Sequence, residues 1–400
     1  MIKFGTSHPS RILREPFRIF FVIGFLAGLA GVLIWHLYHT QMISQFSGVM
    51  HARFQIQGFL GSFAVGFLLT AIPRLMGVKP CTWWELVLLL ALFGINIVCQ
   101  WRQNPLWGDV AFFVILILLV SFAIKRFFSR EDLPPPFFVL VPIGIFHALT
   151  GLGCLIWSES HPSSAILSTL GKNLFNQGFF LNLILGIGSF LGPRLLGFAK
   201  EMPWVESRSP PPGWWTKSFF FLGIGSTIFL SFFVEALGWE RLGQVMRALA
   251  ASFVIVGRMQ VYRTPAAPGF LPRGLQAALI FVLIGLWGLP LFPVYRVAIL
   301  HILFIGGFSL ITFIVATRVI LGHSGFEHLF GSRMLFIGFL TLFIMGGLIF
   351  RVAADFHPEK FFSFLNVASL LWMTGSLIWA VMVFPKIIFP RPEEEAESSS

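Results

Sequence analysis

The sequence predicts an all-α integral membrane protein of about twelve transmembrane helices, and three observations carry that prediction. Of 400 residues, 56% are hydrophobic, 11% are charged and 49 are Phe, and the mean hydropathy is +0.84. A soluble domain carries roughly a quarter charged residues, so this chain cannot clothe a water-facing surface of its size. Second, apolar runs of about 20 residues, the length that crosses a bilayer as a helix, recur between charged or Pro/Gly-rich breaks. Third, most of the 28 basic residues fall in alternate breaks, the bias that places Lys and Arg on the cytoplasmic side.

Taken in order, the first run, 17–38, follows a polar stretch and is long enough to remain as an anchor instead of a cleaved signal. The second, 51–72, opens at His51 and stops at Pro73-Arg74, and the third and fourth, 84–101 and 106–124, flank the polar Arg102-Gln103-Asn104. The fifth, 137–157, follows a run of prolines, and the sixth, 173–192, stops at Pro193-Arg194. After the longest break, 192–216 with its PPPGWW, come 217–238 and 241–261, the latter carrying Arg247. The runs 274–290, 294–318, 333–353 and 362–384 complete the set. An even count places both termini on one side, and the bias of Lys and Arg makes that side the cytoplasm. Residues 1–390 then form one polytopic domain, and 391–400, RPEEEAESSS, a short acidic disordered tail.

Charge and cysteine content narrow the function classes. A net charge of +11 would suggest nucleic acid for a soluble protein; here it belongs to membrane flanks, and the expected partner is the lipid bilayer, with no nucleic acid. The cysteines Cys81, Cys99 and Cys154 form no CxxC, so neither a disulfide framework nor a thiolate zinc site is indicated.

The chain also repeats itself. QGFLGSFAVGFLLTAIPRLMG begins at Gln57 and QGFFLNLILGIGSFLGPRLLG at Gln177, an offset of 120 residues without a gap. Both start QGF, carry Gly66 or Gly186 nine residues on, and close on P-R-L-x-G. The tenth run echoes the ending with Arg318 and Gly322. These features suggest three units of four helices, although glycine faces and Pro-Arg endings are common in membrane helices.

An ionisable residue inside a bilayer costs a few kcal/mol on insertion scales and calls for a partner or a purpose. Such residues are few. His51 and Arg53 open the second run, His147 sits in the middle of the fifth, Arg247 lies in the eighth, His301 in the tenth, and Arg351 and Asp355 close the eleventh. His51, His301, Arg247 and Arg351 all fall in the outer half. No carboxylate lies at mid-span, which counts against an ion-coupled carrier. Two histidines at similar depth on different helices, with arginines near them, suit a porphyrin: neutral imidazoles ligate the iron and guanidiniums receive the propionates. An interfacial histidine that is merely hydrated, and arginines that snorkel, would produce the same pattern. His147 fits a ligand or a hydrogen bond to a neighbouring helix. His36 and His39 suit an interfacial belt. His323 and His328 in GHSGFEH could share a metal or simply be solvated, and Cys99 and Cys154 could bind copper as soft ligands or be buried thiols.

These residues resemble a known family. HARFQIQGFLGSFAVGFLLTAIPRLMG, the His301 helix followed by GHSG, and the arginine ending the eleventh run are similar to the NnrS family, along the chain from the first run to the twelfth. The resemblance implies a multi-pass protein of the bacterial inner membrane, containing haem and copper, linked to nitric oxide metabolism and nitrosative stress, with a redox partner protein. Where the family often has His-x-His and an acid, this chain reads His51-Ala52-Arg53-Phe54 and retains only the first histidine. By analogy of fold alone, three four-helix units resemble the main subunit of haem–copper oxidases, whose low-spin haem is held by histidines on helices two and ten. Here those would be His51 and His301, with Arg247 and Arg351 toward the propionates. That subunit's second metal draws on further histidines in helices six, seven and ten; the sixth and seventh runs have none and the tenth has one, so a complete oxygen- or nitric-oxide-reducing centre is not expected. The alternative is a twelve-span transporter or permease without bound metal, with the glycine-lined second and sixth runs as moving parts.

Overall fold

Each apolar run folds as a helix, and consecutive helices pack as antiparallel neighbours. The computed structural model describes residues 10–161, 164–199 and 208–391; Lys3, Lys200 and the tail from 392 onward lie outside the described residues. Twelve helices cross in order: α1 (Phe17–His39), α2 (Gly48–Met76), α3 (Trp83–Trp101), α4 (Pro105–Phe128), α5 (Pro136–Ser160), α6 (Ala165–Leu195), α7 (Trp214–Ala236), α8 (240–258), α9 (Phe270–Leu291), α10 (Pro293–His323), α11 (Leu335–Ala354) and α12 (Pro358–Ile388). No strand occurs among the described residues. All except α8 are long and apolar enough to cross a bilayer on their own. Glu240, Arg241, Arg247 and Arg258 lie within α8, a helix of crossing length that packs between α7 and α9 and turns Leu242, Leu249 and Phe253 outward.

The helices overrun the apolar runs, most at α6, which begins at Ala165 instead of 173, and α12, which extends to Ile388. Hydrogen bonding explains the difference: a helix continues into the polar interface until something caps it. Ser47 accepts the Met50 amide at the start of α2, and Thr82 with Glu85 forms a reciprocal capping box on α3.

The two termini lie at one end of the bundle. Arg11 reaches the His323 carbonyl at 2.8 Å, Arg18 reaches that of Ile387 at 2.7 Å, and the Arg391 amide bonds the Ser324 carbonyl. Twelve crossings require this terminal face. His51, His301 and Arg351 belong to the opposite face.

The duplication survives at the level of packing. A Cβ on Gly24 would lie 3.0 Å from the Phe59 carbonyl, and one on Gly144 2.9 Å from the Phe179 carbonyl. Gly58 abuts Ala27 and Gly178 abuts His147; Gly66 faces Phe20 and Gly186 faces Leu140. Every partner is displaced by the same 120 residues, so α1/α2 and α5/α6 cross in one register, their backbones brought close by glycine. The P-R-L-x-G endings are helix stops: Gly77 and Gly197 adopt φ of 63° and 80°, and the amide after each bonds the carbonyl of Pro73 or Pro193.

The tenth-run echo of that ending is corrected. Gly322 stays helical, and the stop falls at Gly325 (φ 74°), whose following amide bonds the Leu321 carbonyl. What the third unit shares lies elsewhere. The QGF sequences sit inside π-helical turns, Phe54–Gly61 and Leu174–Phe179, and α10 has its own at Ile302–Ser309 around Gly306-Gly307-Phe308. A further π turn ends α8 at Phe253–Arg258. Such turns widen one loop of a helix and recur at functional sites.

Candidate functional site

On the side away from the termini, α1, α2, α6, α10, α11 and α12 line a partly open cavity of about 340 Å³, α6 contributing Asn176. Its wall contains His51 from α2, His301 from α10 and Arg351 from α11, among aromatic side chains that include Trp35, Phe59, Phe304 and Trp372. Its size and its apolar lining with a few polar groups are those of a small-molecule or cofactor pocket.

Helix geometry explains why α2 presents chemistry here. Spaced four apart along a stretch that widens into the π turn, His51, Gln55 and Phe59 line the cavity, whereas Arg53 and Gln57 point to α3 and α4. On that other face Arg53 donates to Asp109 at 2.7 Å and Gln57 to the same carboxylate at 2.5 Å, while Asn96 and Gln100 donate to the Gln57 oxygen. Asp109 is 1% exposed and Arg53 6%. The arginine that stands where the resembled family often has a second histidine therefore neutralises a buried carboxylate.

Both cavity histidines are oriented by backbone carbonyls. His51 Nδ1 lies 2.7 Å from the Gly31 carbonyl of α1, and His301 Nδ1 lies 2.8 Å from the Val297 carbonyl one turn earlier. At His301 the carbonyl needs a donor, which puts the proton of a neutral ring on Nδ1 and the lone pair on Nε2; at His51 the same nitrogen also faces the Trp35 indole N–H, a donor, so its two neighbours call for opposite tautomers. Neither Nε2 has a hydrogen-bond partner among the described residues. Trp35 Nε1 stands 3.2 Å from His51 Nδ1 and packs its ring edge-on against the imidazole, steadying it. The π turns follow immediately: that of α10 begins at the residue after His301, that of α2 three residues after His51.

Arg351 is 8% exposed and donates through Nη1 to Asp355 at 2.8 Å, which leaves the rest of its guanidinium toward the cavity wall it forms. It lines the same cavity as both imidazoles.

The other expected site residues lie elsewhere. Arg247 does not border this cavity, a correction to its grouping with Arg351: it is fully buried, pairs with Glu235 at 2.8 Å and lies 4.0 Å above the Phe232 ring. Glu235 is shared with Arg296 at 2.8 Å, so Arg247 completes a structural cluster that joins α7, α8 and α10. His147 is also fully buried, its Nδ1 at 2.8 Å from the Ile143 carbonyl and its Nε2 without a partner, and it wedges against Gly178 of α6. His323 sits on the terminal face, 3.2 Å from Glu15 and 3.1 Å from Arg74. Burial opposes ionisation of Glu15, but the hydrogen bond with His323 and the charge of Arg18 prevail and hold its carboxyl down at about 2.

Among the described residues, no three His, Cys, Asp or Glu side chains come together as a metal-ligand set. Cys99 and Cys154 are half-buried free thiols. Burial, reinforced by Glu85, pushes the Cys81 thiol up to about 12, and it donates to the Leu13 carbonyl instead of offering a thiolate. Sequence reasoning missed Trp35, the Gly31 carbonyl and the Asp109 pairing. The third was legible in principle, since Arg53 with Gln57 and Asn96 with Gln100 are each four residues apart, the spacing that stacks polar side chains on one helix face.

A family model described as NnrS protein matches residues 11–391. No curated protein matches the chain.

Proposed function

The chain belongs to the NnrS family, and from that membership together with the histidine cavity we propose that it is a haem-binding protein of the bacterial inner membrane, acting in nitric oxide metabolism or protection from nitrosative stress. The observation that carries the reading is the pair of imidazoles from α2 and α10 in one cavity wall, each with Nδ1 held by a carbonyl and Nε2 unused.

The donor set fits haem. Haem would be held by donor side chains such as imidazole, by an apolar slot for its rings and by cations for its carboxylates. His51 and His301 supply the first, the aromatic wall the second, and Arg351 the third. When bound, haem would supply one-electron chemistry and an iron responsive to diatomic ligands. The chain's own residues do the rest. Val297 orients the His301 ring and sets its tautomer, as second-shell groups do for metal-bound histidine, and Gly31 with Trp35 holds the His51 ring in place. Arg351, held in place by its pair with Asp355, is the cation in the wall that would face a propionate. The aromatic side chains exclude water. With both histidines engaged, the protein acts as an electron carrier or sensor; with one, it leaves a coordination position for a diatomic molecule. Copper, implied by the family, has no assigned ligands in this chain. The basic terminal face is the cytoplasmic one by the positive-inside bias.

The test is iron content and the optical spectrum of the purified protein beside His51→Ala and His301→Ala. Wild type is expected to carry about one haem per chain, with the spectrum altered or the pigment lost in each variant. Unchanged haem content and spectrum in both variants would reject the ligand assignment, and a wild type free of iron would favour a carrier without metal.

A further inference from the structure

A second cavity, of about 100 Å³, lies on the terminal side of the first, between α1, α2, α6, α9 and α10. Its wall is apolar, with Phe63, Leu183, Leu279 and Val315 as typical members. Thr312 contributes the one hydroxyl, and that group donates to its own helix at the Phe308 carbonyl, 2.8 Å away. Met259, which also lines the space, fits against Gly188, where a Cβ would come within 2.7 Å of its methyl carbon. A water molecule placed here would find no free hydrogen-bonding partner, whereas buried waters normally make about three bonds. Apolar cavities of about this size take up molecules such as xenon or benzene, and this one is open on one side, past partly exposed Phe67, Ile187 and Leu191, so such a molecule can enter it.

The position of the cavity gives this a functional meaning. Leu60, 5% exposed, is common to its wall and to that of the histidine cavity. A molecule resting here is one side chain from the imidazole face of α2. The cavity also adjoins Phe308, the last ring of the α10 π turn. We propose that this second cavity is a binding site for small, neutral, apolar molecules, gases among them, with Leu60 as its partition from the histidine cavity. An ion or a polar metabolite is excluded because nothing in the wall can replace its hydration.

The proposal stands without haem, and xenon is the probe. Crystals of the full-length protein under xenon pressure are expected to show an anomalous peak in contact with Phe63, Leu183 and Val315. Ala64→Leu, which fills the space from α2, should abolish that peak, and Val315→Phe should do so from α10. The thermal midpoint of each variant checks folding, and either folded variant suffices. Leu60→Ala should let xenon occupy both cavities. Absence of xenon at this position in the wild type, a peak that survives both filling variants, or a lipid or detergent chain occupying the space would overturn the proposal.

Discussion

The first and second four-helix units share a backbone and differ in what they place on it. Their paired helices cross in the same register and end in the same glycine stop. Yet His51 in the first is matched by Gly171 in the second, Ala27 by His147, and Arg53 by Asn173. The contrast at His51 is physical. Its ring bonds the Gly31 carbonyl from a distance that accommodates a side chain, whereas a Cβ on Gly171 would already lie 2.7 Å from the equivalent carbonyl, that of Gly151. The second pair has closed where the first pair holds open a cavity. The charged groups of the second unit pair within the protein: Glu235 accepts from Asn173, Arg247 and Arg296, and Arg296 also donates to Asn173. The π turn supplies a scaffold in both units, and single side chains decide whether a site is built on it.

Stability measurements can break this comparison. The largest effect is expected where both units bury an ion pair. Arg53→Ala strands Asp109, and Arg247→Ala leaves Glu235 with the half-buried Arg296 alone. Removing one partner of a buried pair costs about 3–5 kcal/mol, so both variants should unfold at markedly lower temperature in detergent, with Arg53→Ala the worse because Asp109 has no second cation in its pairings. Equal tolerance of both variants would mean that the clusters do not hold the units together.

A smaller effect should separate the units. Gly171→Ala must push α5 from α6 and is expected to cost about 1–3 kcal/mol, whereas Gly48→Ala, at the open edge of the first unit's cavity with nothing within 4 Å of the new methyl, should be close to neutral. Matching thermal shifts would contradict the idea that only the second pair is closed.

The smallest effect belongs to the terminal face. The Glu15 carboxyl is held at about 2 against an ordinary 4.5, so its folded form binds the proton more weakly than the unfolded chain. Its contribution is complete above pH 4.5 and is lost as pH falls toward 2. Glu15→Gln should therefore lower the thermal midpoint modestly at neutral pH, and the gap to wild type should close on acidification. A gap independent of pH would remove the carboxylate from the account.

Much of this architecture was legible in the sequence because lipid imposes simple rules. Apolar length and basic flanks predicted the helices, eleven of them apolar enough to cross; α8 is less apolar because it carries Glu240, Arg241, Arg247 and Arg258, of which Arg247 is paired inside the bundle. The 120-residue repeat was visible as QGF and P-R-L-x-G, and His51, His301 and Arg351 were found as costly residues at one depth. What was hidden depends on rotation and on partners. Arg247 has the depth of Arg351 but turns toward Glu235, and depth alone cannot reveal the direction of a side chain. The π turns also escaped, since they change helix phase without changing composition.

The central claim is that His51 and His301 bind one iron between them. Low-temperature electron paramagnetic resonance of the oxidised protein tests it most directly. The account predicts a low-spin ferric signal in wild type that becomes high-spin, or disappears with the haem, in His51→Ala and in His301→Ala alike. A low-spin signal that persists unchanged in either variant would contradict it.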